Sequence, residues 1–239
     1  MKDDLDEKVL LKNIREYFSS QLFQKHRDSA LSKHTKLKSY NVNPIIVKYL
    51  VRVLGVKYNP IGVAKALYFP RVLGTSINTS FGTNSQKMFV KLGLANGSLI
   101  KGMDIEFQDR VDKRQKWCQL KAGPNTINSG DVKPLMDEFS TVSNLARTNT
   151  IEMNNGDLML GVIYGEKKQL SQHYQIINRT YPVYVGQEFW HRITGFQNFY
   201  LNLITELESL INDLDSQNFF EEGYSRLAKE IEASDFFDF

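Results

Sequence analysis

The chain has 239 residues, 41% of them apolar and 24% charged, the balance of a globular protein with one domain, or one domain and an appendage. No apolar run approaches the roughly 20 residues a membrane span needs, and the acidic start MKDDLDEK lacks the order of a secretory signal. A lone cysteine, Cys118, excludes an internal disulfide and a cysteine-rich zinc site, so the chain reads as cytoplasmic.

In chain order, residues 5–24 read as an amphipathic helix with Leu10, Ile14, Phe18 and Leu22 four apart. The polar, basic stretch 25–39 is expected to be a loop or a frayed extension of it. Asn43-Pro44 and Asn59-Pro60 each announce a helix, reaching Leu54 and Phe69, because Asn caps free N–H groups and Pro is preset for the first turn. Pro70 is expected to end the second. Residues 74–87, GTSINTSFGTNSQK, read as a loop leading to a short helix. Their short polar side chains suit either turn chemistry or approach to a phosphate backbone.

Strands are expected at 99–107 and 115–122 around a charged turn, then a helix at 131–147, strands at 158–164 and 182–185, and helices at 187–213 and 222–233. This order argues an α/β fold, a mixed layer with helices on both faces. Three regions follow: a basic helical region at 1–70 for DNA or dimer contacts, a core at 71–200, and an acidic helical region at 201–239. Residues 25–71 hold ten Lys or Arg and one acid, whereas 203–239 hold ten acids and two bases. Such asymmetry suits one face meeting a polyanion, although a basic surface can also be merely solvated.

The informative segment is GMDIEFQDRVDKRQKWCQLKAGPNTINSGDV, 102–132. Side chains alternate faces along a strand, so Asp104 and Glu106 share a face opposite Met103, Ile105 and Phe107. Gln119 and Lys121 likewise share a face opposite Cys118 and Leu120. Two adjacent strands would therefore bring two acids, an amide and an ammonium to one cleft. Phosphodiester hydrolysis asks for that set, since it depends on positioning and charge neutralisation and Mg²⁺ prefers oxygen ligands. Asp104 and Gln119 would hold the metal, Lys121 would serve the nucleophilic water, and Glu106 could assist either. The same residues could equally be cross-strand ion pairs on a solvated sheet.

Asp104 followed after fourteen residues by Gln119-Leu120-Lys121 resembles the signature of the PD-(D/E)XK nucleases. The words RVLGTSINTSFGTNSQK, QLKAGPNTINSGDV and VYVGQEFWHRITG are similar to a branch of type II restriction endonucleases that cuts interrupted palindromes of the GGNCC type. The resemblance, over about residues 40–200, implies a central mixed β-sheet flanked by α-helices, with a helical N-terminal region. It also implies Mg²⁺ (with Mn²⁺ as a substitute), a homodimer on double-stranded DNA and a cognate DNA methyltransferase in the same host. Asp104 and Gln119 become metal ligands, Lys121 the catalytic lysine, and Asn125, Asn128, Gln187 and Arg192 DNA neighbours. Arg71, beside the polar stretch, is a further candidate for phosphate contact. Met103 stands where the signature has proline, and Gln119 where glutamate is commoner, so one negative charge is missing. Glu106 is the expected replacement, or an acid from another element. A junction-resolving nuclease and a non-catalytic DNA-binding protein are the competing functions.

Overall fold

The computed structural model describes residues 5–214 and 217–237. In chain order it holds helices α1 (Glu7–Tyr17), α2 (Lys25–Ser32), α3 (Pro44–Val53), α4 (Pro60–Pro70) and α5 (Ile77–Lys91). Strands β1 (Asn96–Gly97), β2 (Ile105–Gln108) and β3 (Gln115–Lys121) follow, then α6 (Ser129–Thr148), β4 (Leu158–Val162), α7 (Gln172–Ile177) and β5 (Val183–Val185). Helices α8 (Gln187–Thr194), α9 (Phe199–Asp213) and α10 (Gln217–Glu232) complete it. Each of α3 and α4 is capped as expected, Asn43 and Asn59 accepting first-turn N–H groups ahead of proline. Among the described residues no helix is long and apolar enough to cross a membrane.

The chain divides into two compact units, residues 1–16 with 82–209, and residues 17–81 with 210–239. The first is built on a five-stranded sheet in the order β1-β2-β3-β4-β5. β1, β2 and β3 run antiparallel, while β3, β4 and β5 run parallel, so β3 is the seam of a mixed sheet. Parallel neighbours need crossovers, which α6 and α7 provide. Leu135, Phe139 and Val142 of α6 and Tyr174 and Ile177 of α7 bury Leu158, Leu160, Val162, Val183 and Val185 on one sheet face. On the other face Gly161 leaves room for the Phe189 ring and Cys118 Sγ, which a Cβ there would meet at 2.5 and 2.8 Å. Phe89, Phe189, Trp190 and Phe199 pack together in that layer, with centroids 5.2–5.5 Å apart along the series Phe189–Phe89–Trp190–Phe199, the first pair edge to ring and the others tilted. This is the expected α/β fold, a central mixed sheet flanked by helices.

The second unit is helical. Val47 and Val51 of α3, Val63, Ala64, Ala66 and Tyr68 of α4, and Leu227, Ala228 and Ile231 of α10 form its core. Gly223 on α10 admits the Tyr68 hydroxyl, which would overlap any Cβ at that position. The aromatic side of the acidic C-terminal segment is thus packed, with Phe220 against Tyr68 and Phe69.

Several boundaries differ from expectation for local reasons. Residues 71–91 are helical: a π turn, Arg71–Ser76, continues α4 beyond Pro70 into α5. Proline at the last position of α4 breaks nothing, because its lost N–H bond falls where the ladder is already changing pitch. Another π turn, Phe18–Gln24, joins α1 to α2, so the basic stretch begins as helix. The expected strand at 99–107 shortens to β2, since Gly102 turns the chain at φ +90°. The expected helix at 187–213 is two helices, broken by left-handed Gly195 at φ +86°. Helix α10 starts earlier than expected, at Gln217.

Candidate active site

The site is built on the β2–β3 ladder. Glu106 pairs with Trp117 and Ile105 with Cys118. Cross-strand partners share a face, so Glu106, Trp117, Gln119 and Lys121 lie on one side and Ile105, Cys118 and Leu120 on the other. Asp104 sits one residue before β2, where the ladder breaks. Its N–H bonds the Cys118 carbonyl at 3.0 Å, and its carboxylate Oδ2, in place of a main-chain carbonyl, accepts the Leu120 N–H at 2.7 Å. A side chain caught in the backbone ladder has little freedom, which fixes the carboxylate beside β3.

Burial is the largest influence on Asp104 and raises its pKa. The Leu120 N–H, the Lys121 charge and a hydrogen bond from Gln86 on α5 oppose that rise, and nearby Glu138 adds to it. Glu138, on α6, also accepts a hydrogen bond from Gln119 Nε2 at 3.1 Å. The other amide atom, Gln119 Oε1, is buried without a hydrogen-bond partner. Asp104, Gln119 and Lys121 are therefore brought together, with Glu138 and Gln86 beside them. Glu106 shares their face but is engaged elsewhere, its Oε1 accepting the Ser98 hydroxyl at 2.7 Å.

Neither Glu138 nor Gln86 was among the residues read from the sequence. Both lie on helices outside the strand pair, and period-two alternation says nothing about which helical residue reaches a sheet. The one available signal was the missing charge at position 119, which asked for an acid from elsewhere.

Among the described residues no group of three or more His, Cys, Asp or Glu is placed to hold a metal. The donors at hand are carboxylate and amide oxygens, the kind that Mg²⁺ takes while keeping several waters. The buried, unpaired Gln119 Oε1 is an acceptor in want of a cation or a donor. The residues present thus fit a hard divalent ion and not a thiolate or imidazole metal. Cys118 is fully buried on the opposite face, and burial pushes its thiol well above the ordinary range.

The remaining candidates fall in different settings. The loop 122–128 is pinned by Tyr174, whose hydroxyl donates to the Gly123 carbonyl at 3.0 Å and lies 2.9 Å from Thr126 Oγ1. Burial pushes that phenol up to about 12. Asn125 is exposed on the loop. Asn128 caps α6, accepting the Gly130 N–H, while Asp131 accepts the Asn128 N–H. Gln187 opens α8, and both its amide atoms are buried and unpaired. Arg192 is held by Asp109 at 2.7 Å and Asp112 at 3.4 Å and lies over the Tyr184 ring. Arg71 is exposed in the helical unit, close enough to His34 for its charge to oppose protonation there.

Comparison with curated protein sequences returns no significant match. Residues 14–214, most of the chain and the whole of the sheet with it, match the family profile of the type II restriction endonuclease EcoO109I. The chain belongs to the EcoO109I family of type II restriction endonucleases.

Proposed function

We propose that the protein is a magnesium-dependent endonuclease that cuts double-stranded DNA at a short interrupted palindrome of the GGNCC kind, working as a homodimer. The observation that carries this reading is the meeting of Asp104, the orphaned Gln119 Oε1 and Lys121 on one sheet face in a member of a restriction-endonuclease family. In this reading Asp104 and Gln119 supply oxygen ligands for Mg²⁺ or Mn²⁺. When bound, the ion neutralises charge on the phosphoryl oxygens and acidifies water. Lys121 orients or deprotonates the water that attacks phosphorus, and the P–O bond opposite the attacking oxygen breaks.

The exposed Asn125 and Arg71 are the proposed direct DNA contacts, while Gln187, whose amide atoms are buried, would serve DNA binding through its place at the start of α8. Asn128 and Arg192 would act through position, one by starting α6 beside the loop and the other by tying α8 to the turn at Asp109. A nuclease of this kind endangers its own genome, so a cognate DNA methyltransferase is the expected companion.

The test is digestion of unmethylated phage-length duplex DNA with Mg²⁺ and with EDTA. Discrete fragments that require the metal support the proposal, and their ends give the recognition word. A sequence-independent preference for branched substrates would instead indicate a junction-resolving nuclease. Intact DNA under every condition would leave a binding protein.

A further inference from the structure

Position 119 carries an amide, so strand β3 brings no negative charge beside Lys121. Two acids could supply it. Glu106 shares the sheet face but stands opposite Trp117 and is bonded by the Ser98 hydroxyl. Glu138 comes from α6, and two contacts place its carboxylate beside Gln119 and the turn that leads into Asp104.

Gln119 Nε2 donates to Glu138 Oε2 at 3.1 Å. A carboxylate can only accept, so chemistry fixes which way the amide faces. The amide oxygen is left as the atom without a partner. Gly102, two residues before Asp104, has no side chain at the point where a Cβ would lie 3.0–3.2 Å from the Cδ, Oε2 and Cβ of Glu138. The helix carboxylate thus lies against the turn that launches Asp104.

We infer that Glu138 on α6 provides the second carboxylate of a divalent-cation site completed by Asp104 and Gln119 Oε1. The inference rests on the endonuclease reading above and adds to it where the charge missing from β3 has gone. Two carboxylates and an amide oxygen would supply a hard divalent ion with the oxygen donors it prefers, while it would keep several waters. The Gln119–Glu138 hydrogen bond makes the two positions interchangeable in charge. A carboxylate at 119 bonded to an amide at 138 preserves the pair with donor and acceptor reversed.

The experiment is Mn²⁺ titration of the full chain by electron paramagnetic resonance, with thermal unfolding of each variant alongside. Glu138→Gln is expected to weaken binding by about tenfold or more. Glu106→Gln is expected to leave it within about threefold. The double variant Gln119→Glu/Glu138→Gln is expected to return to within about threefold of the parent, which a merely structural role for Glu138 would not produce. Parent-like binding in Glu138→Gln, or the large loss appearing in Glu106→Gln instead, would overturn the inference and leave the endonuclease reading standing. A parent protein that binds no Mn²⁺, with or without duplex DNA, would overturn both.

Discussion

Replacing Asp157 by asparagine tests how the N-terminal end of β3 is anchored. Asp157 lies just before β4 with its side chain 2% exposed. It accepts Arg114 Nε at 2.7 Å and Nη2 at 2.5 Å, Lys116 Nζ at 3.0 Å and the Asn154 N–H at 2.9 Å. Lys116, on β3, is equally buried and has Asp112 Oδ2 at 2.8 Å as its other ionic partner. Asparagine keeps the shape and one acceptor but leaves Lys116 with a single, more exposed counter-charge. Breaking a buried pair costs about 3–5 kcal/mol, and the surviving Asp112 contact argues for the lower end, about 3. A fold of this size loses about 2–4 °C per kcal/mol, so Tm should fall by about 6–12 °C.

Urea unfolding read by tryptophan fluorescence suits the question, because both tryptophans, Trp117 and Trp190, lie in the sheet-bearing unit. The gap between parent and variant should depend on pH. Burial pushes the Asp157 carboxyl upward, but the bonds from Arg114, Asn154 and Lys116 outweigh it and hold it well below the ordinary range. A depressed folded-state pKa stabilises fully above the unfolded value near 4 and is lost as pH falls below it. The gap should therefore be constant from about pH 7 to 5 and shrink below about 4. A gap under about 1 kcal/mol at neutral pH, or one that does not narrow in acid, would refute the anchoring argument.

Asp104→Asn and Lys121→Ala should each lower cleavage by about 10²-fold or more while circular dichroism and metal-free DNA binding persist; parent-like rates in either would unseat the site. Gly102→Ala forces a side chain into φ +90° and against Glu138, so it should cost about 1–2 kcal/mol and weaken Mn²⁺ binding, and unchanged binding would show that the turn does not position that carboxylate. In the helical unit, burial lowers the pKa of both His26 and His34, with Arg71 and Lys33 adding to the effect on His34. The unfolded chain then takes up protons first, so this unit should lose stability as pH falls below about 6.5. Hydrogen exchange of α2 and α4 should show that loss, and a His26→Gln/His34→Gln variant should flatten it.

The strand residues were legible because alternation is a strict rule. Once β2 and β3 pair, Gln119 and Lys121 must share a face, and the polar members of a strand with an apolar side have one place to go. The ladder break that turns Asp104 into a backbone acceptor was not legible, since it depends on Gly102 choosing a left-handed turn over an extended residue. Composition misled at 74–87. Gly, Ser, Thr and Asn carry weak helix propensities, yet Val72 just before the stretch and Met88 and Phe89 just after it are buried, and packing at its two ends overrides local preference. Glu138 was hidden for a geometric reason. Which residue of a twenty-residue helix overlies a given strand position depends on axial shift and rotation, and one sequence records neither. A compact unit assembled from two separated stretches of chain is likewise invisible in sequence order.

Cys118 lies on the face of β3 turned away from Gln119 and Lys121, with its thiol fully enclosed and its ionisation suppressed. The thiolate is the species that thiol reagents attack, so the native protein should be silent toward maleimides. Any surface position changed to cysteine would become the single reactive thiol in the molecule, with no need to disturb the core first. Spin labels or fluorophores could then be placed at will on either unit. The separation of two such labels on a DNA duplex would test the proposed pairing of two copies on a palindrome.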